Sequence, residues 1–173
     1  MLIVFSGLPG VGKTSVAKEL AHQIGAVHLR IDSIEQAILA SGVAEEPLQD
    51  AGYRVAYAVA KDNLRVGRTV IADSVNPLGL TRDAWVEVAM DAQVSLIEIE
   101  VKCSDATAHR RRVETRVTDI PGLKLPSWQE VVSREYHEWD REHLVIDTAD
   151  VTVAQNVNAI RETLTQLYSQ KGA

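Results

Sequence analysis

The sequence predicts an α/β three-layer sandwich: a five-stranded parallel sheet, helices on both faces and a small helical lid. Three observations carry this. Short apolar runs alternate along the chain with stretches of helical periodicity. The strand runs are mostly apolar throughout rather than at every second residue, as strands covered on both faces are. A glycine-rich turn joins the first run to the first helical stretch. Parallel neighbours need right-handed crossovers, and the intervening helices supply them.

The elements follow in order. Leu2-Ile3-Val4-Phe5, ended by Gly7, reads as a buried strand. Over residues 13–23 apolar side chains fall at Val16, Ala17, Leu20 and Ala21, a helical spacing that Gly25 stops. Val27-His28-Leu29-Arg30-Ile31 is a second strand, and a short helix over 32–40 follows with Asp32 or Ser33 as N-cap. Residues 48–66 form a longer helix with Tyr53, Ala56, Ala60 and Leu64 near one face. Thr69-Val70-Ile71-Ala72 is a third strand, 80–91 a helix, and 94–101 a fourth strand. Residues 104–115 are helical and arginine-rich. Two prolines and a glycine make 117–126 a loop, and 128–139 returns to helical spacing. Leu144-Val145-Ile146 is the fifth strand. The closing helix over 151–169 sets Val153, Val157, Ile160, Leu164 and Leu167 on one face.

At 173 residues the chain has the size of one domain, so 1–173 is read as a single unit with a lid at about 110–127. A net charge of −6 disfavours non-specific binding to long nucleic acid. LIVFSG is too short for the apolar centre of a secretory signal. No run reaches the roughly 18 apolar residues of a membrane helix, so the expected location is the cytoplasm. One cysteine, Cys103, excludes an intramolecular disulfide and reads as a small buried apolar residue. The histidines at 22, 28, 109, 137 and 143 show no metal-ligand spacing.

The chemistry begins at Gly7-Leu8-Pro9-Gly10-Val11-Gly12-Lys13-Thr14, followed by Ser15. It fits G-x-x-x-x-G-K-[ST] and sits between a strand and a helix, where that pattern has a physical role. Backbone N–H groups turn inward onto phosphate oxygens, and the helix N-terminus adds its dipole. Lys13 supplies a positive charge, and the Thr14 hydroxyl is placed to ligate Mg²⁺. The implied ligand is a nucleoside triphosphate.

Three uses of such a loop are open, and each needs other parts. A GTP switch needs Asp-x-x-Gly and Asn-Lys-x-Asp; Asp73 is followed by Ser-Val-Asn, and the chain after the fourth strand lacks the asparagine. A motor ATPase needs an acidic pair, but Ser74 follows Asp73. A kinase needs a carboxylate for the acceptor hydroxyl and arginines that close on the phosphates. Asp32, at the carboxyl end of the second strand, is on the same edge as Lys13 and serves as base, as N-cap, or as both. Arg30 either orients the acceptor or pairs with a carboxylate. Arg112 and Arg116 are four apart on one helical face, with His109 a turn earlier, just before a loop with proline and glycine. They are either phosphate-gripping lid arginines or a solvated basic face.

Together these residues resemble the P-loop small-molecule and polynucleotide kinases of the nucleoside-kinase-like group, which includes gluconate kinase, chloramphenicol phosphotransferase and the polynucleotide kinase domain. The likeness runs from residue 1 to about 147, through GLPGVGKT, RID, VIADSVNP, CSD with RRRVETR, and LVIDT. The resemblance implies that Lys13 and Thr14 hold phosphates and Mg²⁺, that Asp32 is the base, and that Arg112 and Arg116 are lid arginines. It also implies that Asp73 assists Mg²⁺ through water. Arg82 is either near the acceptor, as in relatives, or a helix-surface charge. The implied activity is ATP-dependent phosphorylation of a hydroxyl on a small molecule or a nucleic-acid end, the acidic charge favouring the former. The alternative is an ATP-binding or ATPase regulatory module without an acceptor. The stretch Pro126-Ser127-Trp128 through Tyr136 and Trp139 departs from compact lids; its aromatics either shape an acceptor pocket or pack in the core.

Overall fold

Every apolar run becomes a strand of one parallel sheet in the computed structural model, which describes residues 1–45 and 47–171, the last five by backbone alone. The strands are β1 (Leu2–Ser6), β2 (Val27–Arg30), β3 (Val70–Asp73), β4 (Leu96–Lys102) and β5 (Leu144–Asp147), in the order β2-β3-β1-β4-β5. β1 is central and wholly buried, pairing β3 on one side and β4 on the other.

The alternation of side chains splits the core in two. Ile3, Phe5, Ile71, Ile99 and Val101 face α1 (Lys13–Ile24) and α7 (Val153–Lys171). Leu2, Val4, Val70 and Ala72 face α3 (Ala51–Arg65) and α4 (Gly79–Asp91). Helix α2 (Ile31–Ala40) joins β2 to α3; α5 (Ala106–Thr115) and α6 (Trp128–Val132) lie between β4 and β5. Among the described residues no helix is long and apolar enough to cross a membrane.

Local chemistry sets several boundaries away from the sequence expectation. Helix α2 starts at Ile31, so Arg30 occupies the N-cap and Asp32 falls in the first turn without capping it. Its carboxylate is thereby left for other work. Helix α5 is capped by Asp105, whose side chain accepts from the Thr107 and Ala108 amides. Helix α6 opens on a capping box between Ser127 and Glu130 but ends at Val132, well short of the expected 139. The reason is tertiary. The carbonyls of His137 and Glu138 accept from Arg82, and the His137 amide donates to the Pro77 carbonyl. Those groups are therefore spent outside a helix. In α7, Val157, Ile160 and Leu164 are buried as the periodicity predicts, whereas Val153 is 38% exposed; the Leu167 side chain lies outside the described residues.

Candidate active site

The glycine-rich segment runs from the end of β1 into α1. The Gly7 amide donates to the Val75 carbonyl at 3.1 Å, tying the start of the loop to the turn after β3. Gly10 and Gly12 have φ of +85° and +96°, which only glycine adopts without strain. A Cβ on Gly10 would also strike the Val113 side chain of α5. Gly10→Ala is expected to weaken ADP affinity by about 1–3 kcal/mol, read by titration calorimetry.

Lys13 is buried at the first position of α1. Burial pushes its ammonium below the ordinary range; the charges of Asp73 and Asp32 oppose this, and those of Arg116 and Arg30 add to it. All four charged groups are thus close enough to act on Lys13. Asp73 ends β3 and is 2% exposed. Burial alone would raise its carboxyl, but the His28 hydrogen bond (3.3 Å), the Lys13 charge and the Thr14 hydroxyl hold it below the ordinary carboxylate range. The Thr14 hydroxyl and the Asp73 carboxylate lie together, and such oxygen donors suit a hard cation such as Mg²⁺.

Helix α5 is fastened to the loop rather than standing off it. His109 is buried, with Nε2 donating to the Pro9 carbonyl at 2.8 Å and its ring against the edge of Trp128. Arg112 Nη1 donates to the Thr148 hydroxyl at 2.8 Å and Nη2 to the Thr148 carbonyl at 2.7 Å. The Thr148 hydroxyl in turn donates to the Val11 carbonyl at 2.6 Å. Arg116 lies just past the helix with extended backbone (φ −66°, ψ 137°), so Arg112 and Arg116 do not form one helical stripe. Both nevertheless line a cleft of about 510 Å³ with Gly12, Lys13, Arg30 and Asp119.

Two sequence-predicted residues sit differently from expectation. Arg82 is not a surface charge: it is 1% exposed and donates to the carbonyls of Asn76, Pro77, His137 and Glu138. Its guanidinium also lies under the Tyr136 and Trp139 rings, at 5.1 and 4.3 Å from their centroids. With so many donors committed to the backbone, Arg82 is a clamp. The other face of Trp139 is stacked on His143 at 4.0 Å, so the indole is packed on both sides. Cys103 is half-buried rather than buried, its thiol near the Asp105 carbonyl and Arg112.

Sequence reasoning missed His28, Thr148, Asp119 and Asn76. His28 and Arg30 alternate onto one face of β2 beside Asp73, a pattern visible once β2 is known to pair β3. Asn76 is fully buried at φ +46°, its amide bound to the Phe5 carbonyl and the Ser6 hydroxyl beneath the loop.

Solved structures share this fold. APS kinase CysC of Mycobacterium tuberculosis, in complex with AMPPNP and APS, is similar at 20% identity and a TM-score of 0.72, over 95% of this chain and 96% of that one. An unliganded sugar kinase from Janibacter sp. HTCC2649 is similar at 15% identity and 0.69, over 95% and 94%. A gluconokinase from Sinorhizobium meliloti 1021 is similar at 19% identity and 0.63, over 97% and 95%. The fold is that of the P-loop nucleotide-kinase-like domains. The AAA domain family matches residues 2–130, three quarters of the sequence, and the chain belongs to that family.

Proposed function

We propose that this protein is an ATP-dependent phosphotransferase that moves the γ-phosphate of ATP to a hydroxyl of a small molecule. The observation that carries the reading is that Asp73 at the end of β3 and Asp32 in the first turn after β2 share the sheet edge where α1 begins with Lys13, while Arg116 lines the same cleft as Lys13. A phosphate-binding loop alone is common to many activities; carboxylates and arginines around it suit phosphoryl transfer.

In this reading the loop of residues 7–15 holds the phosphates through Lys13 and the backbone N–H groups from Gly10 to Ser15, since Pro9 has none and that of Gly7 is spent on Val75. Arg116, which lines the same cleft, grips the phosphates from the lid side, and Arg112 holds Thr148 and through it the loop beside them. Thr14 directly, and Asp73 through water, would hold Mg²⁺, which supplies charge neutralisation between the phosphates when bound. Asp32 accepts the proton of the acceptor hydroxyl as its oxygen attacks the γ-phosphorus in line; the phosphoester bond forms as the bond to the departing ADP oxygen breaks. Arg30, beside Asp32, faces the acceptor, and Arg82 supports the wall built by residues 136–139. Positioning and charge stabilisation do most of the work.

The second reading, a nucleotide-binding regulatory module, shares the loop but needs no base. Incubation with γ-labelled ATP and hydroxyl compounds separates the two: a labelled product supports the kinase, and binding without any transfer supports the module. Lys13→Ala is expected to lose both nucleotide binding and turnover. Tight ATP binding by that variant would remove the loop from its assigned role.

A further inference from the structure

On the acceptor side of the cleft, where Lys18 also lies, the most buried cation already faces carboxylates. Arg30 lies at the N-cap of α2 with its side chain 11% exposed. Its Nη1 donates to Asp119 of the lid loop at 2.6 Å, and its Nε is 3.9 Å from Asp32 Oδ2. The guanidinium therefore stands between two carboxylates, one fixed on α2 and one delivered by the loop. That loop makes a second approach to α2, since Gly122 lies against the Gln36 amide. One turn beyond Asp32, Glu35 is packed on Gly52 of α3. Burial and the Asp32 charge raise its carboxyl, while the charge of Arg134 lowers it, so that cation also has an acidic neighbour. The Arg30 Nε atom is buried and has no hydrogen-bond partner. An unsatisfied donor of this kind calls for an oxygen lone pair.

Resting on the phosphotransfer reading, we infer that the acceptor is a polyhydroxylated compound carrying no anionic group near its reacting hydroxyl, and that Asp119 is a specificity-determining residue. An anionic acceptor would have to approach Asp32 and Glu35 while Arg30 is already neutralised by Asp119. Such like-charge placement is what excludes wrong partners elsewhere. A neutral hydroxyl meets no such penalty, and a second hydroxyl can accept from Arg30 once the guanidinium is engaged. Asp119 enforces the choice through Arg30 without touching the reacting atoms. This sets the acceptor apart from phosphorylated metabolites, acidic sugars and polynucleotide ends.

The test uses the full chain with Mg²⁺ and γ-labelled ATP. The acceptors are matched pairs: sorbitol with gluconate, glucose with glucose 6-phosphate, uridine with uridine 5′-monophosphate, and a 5′-hydroxyl oligonucleotide as the polyanion. The expected result is that kcat/KM for the neutral member of any phosphorylated pair exceeds that of its anionic partner by about tenfold or more. In Asp119→Asn the Arg30 charge is released, and the ratio should shift toward the anion by about tenfold while ADP affinity by calorimetry stays within about threefold. Preference for an anionic member in the wild type overturns the acceptor class. An unchanged ratio in Asp119→Asn overturns the role of Asp119. If ATP binds and no compound at all is labelled, the phosphotransfer reading falls and takes this one with it.

Discussion

Asp32→Asn is expected to lower phosphoryl transfer by about a hundredfold to ten-thousandfold while leaving ATP affinity near that of the wild type. Both halves of this expectation come from geometry. Asp32 sits in the first turn of α2, on the carboxyl edge of the sheet that also carries Lys13. Its side chain is not used as a helix cap, so asparagine removes no capping bond. It is also partly exposed and 3.9 Å from Arg30, so the amide fits without burying an unpaired charge. What asparagine cannot do is take a proton. Single-turnover rates with the acceptor, set beside calorimetric ATP binding, give the two numbers. Equal transfer in variant and wild type would sink the base assignment. Loss of ATP binding together with transfer would mean instead that Asp32 acts by holding Lys13 and the loop in place.

Arg82→Met is expected to cost about 3–5 kcal/mol of stability, measured as the shift in urea unfolding. Methionine roughly keeps the apolar stem and removes the fork. The carbonyls of Asn76, His137 and Glu138 then lose the Arg82 donor together, and that of Pro77 keeps the His137 amide, in a site that is almost fully buried. The Tyr136 and Trp139 rings lose the cation between them. The damage should spread to the site, because Asn76 also fixes the Phe5 carbonyl and the Ser6 hydroxyl under the phosphate loop. Weaker ADP binding should therefore accompany the stability loss, with Arg82→Lys recovering part of each. A loss below about 1 kcal/mol would show that residues 133–143 hold their path without the clamp.

The contrast between these two residues shows what a sequence can carry. The place of Asp32 was legible because it follows a short strand, and strand ends in a parallel sheet share the edge that carries the phosphate loop. The five strands were legible for a related reason: burial on both faces leaves an unbroken apolar run. Arg82 was not legible, since nothing local distinguishes a buried clamp from a surface charge on an amphipathic helix. Its partners at 137 and 138 lie in a stretch whose spacing looks helical, and the same contacts that bury Arg82 stop that helix at Val132. Thr148 and Asp119 share the difficulty. Their partners, Val11 and Arg30, lie 137 and 89 positions away, and no periodicity connects them.

The bond from the Thr148 hydroxyl to the Val11 carbonyl has a consequence in time as well as in space. During synthesis β1 leaves the ribosome before the other four strands, and the phosphate loop follows it at once. Its neighbours β3 and β4 come later, and β5 later still. Only when Thr148 has emerged can it join Val11 to Arg112 and fix the loop against α5. Helix α7, which covers α1 on the same face, emerges after β5. The loop assigned to the nucleotide is therefore made before β3, β4 and β5, and must wait for Thr148 before its position is fixed.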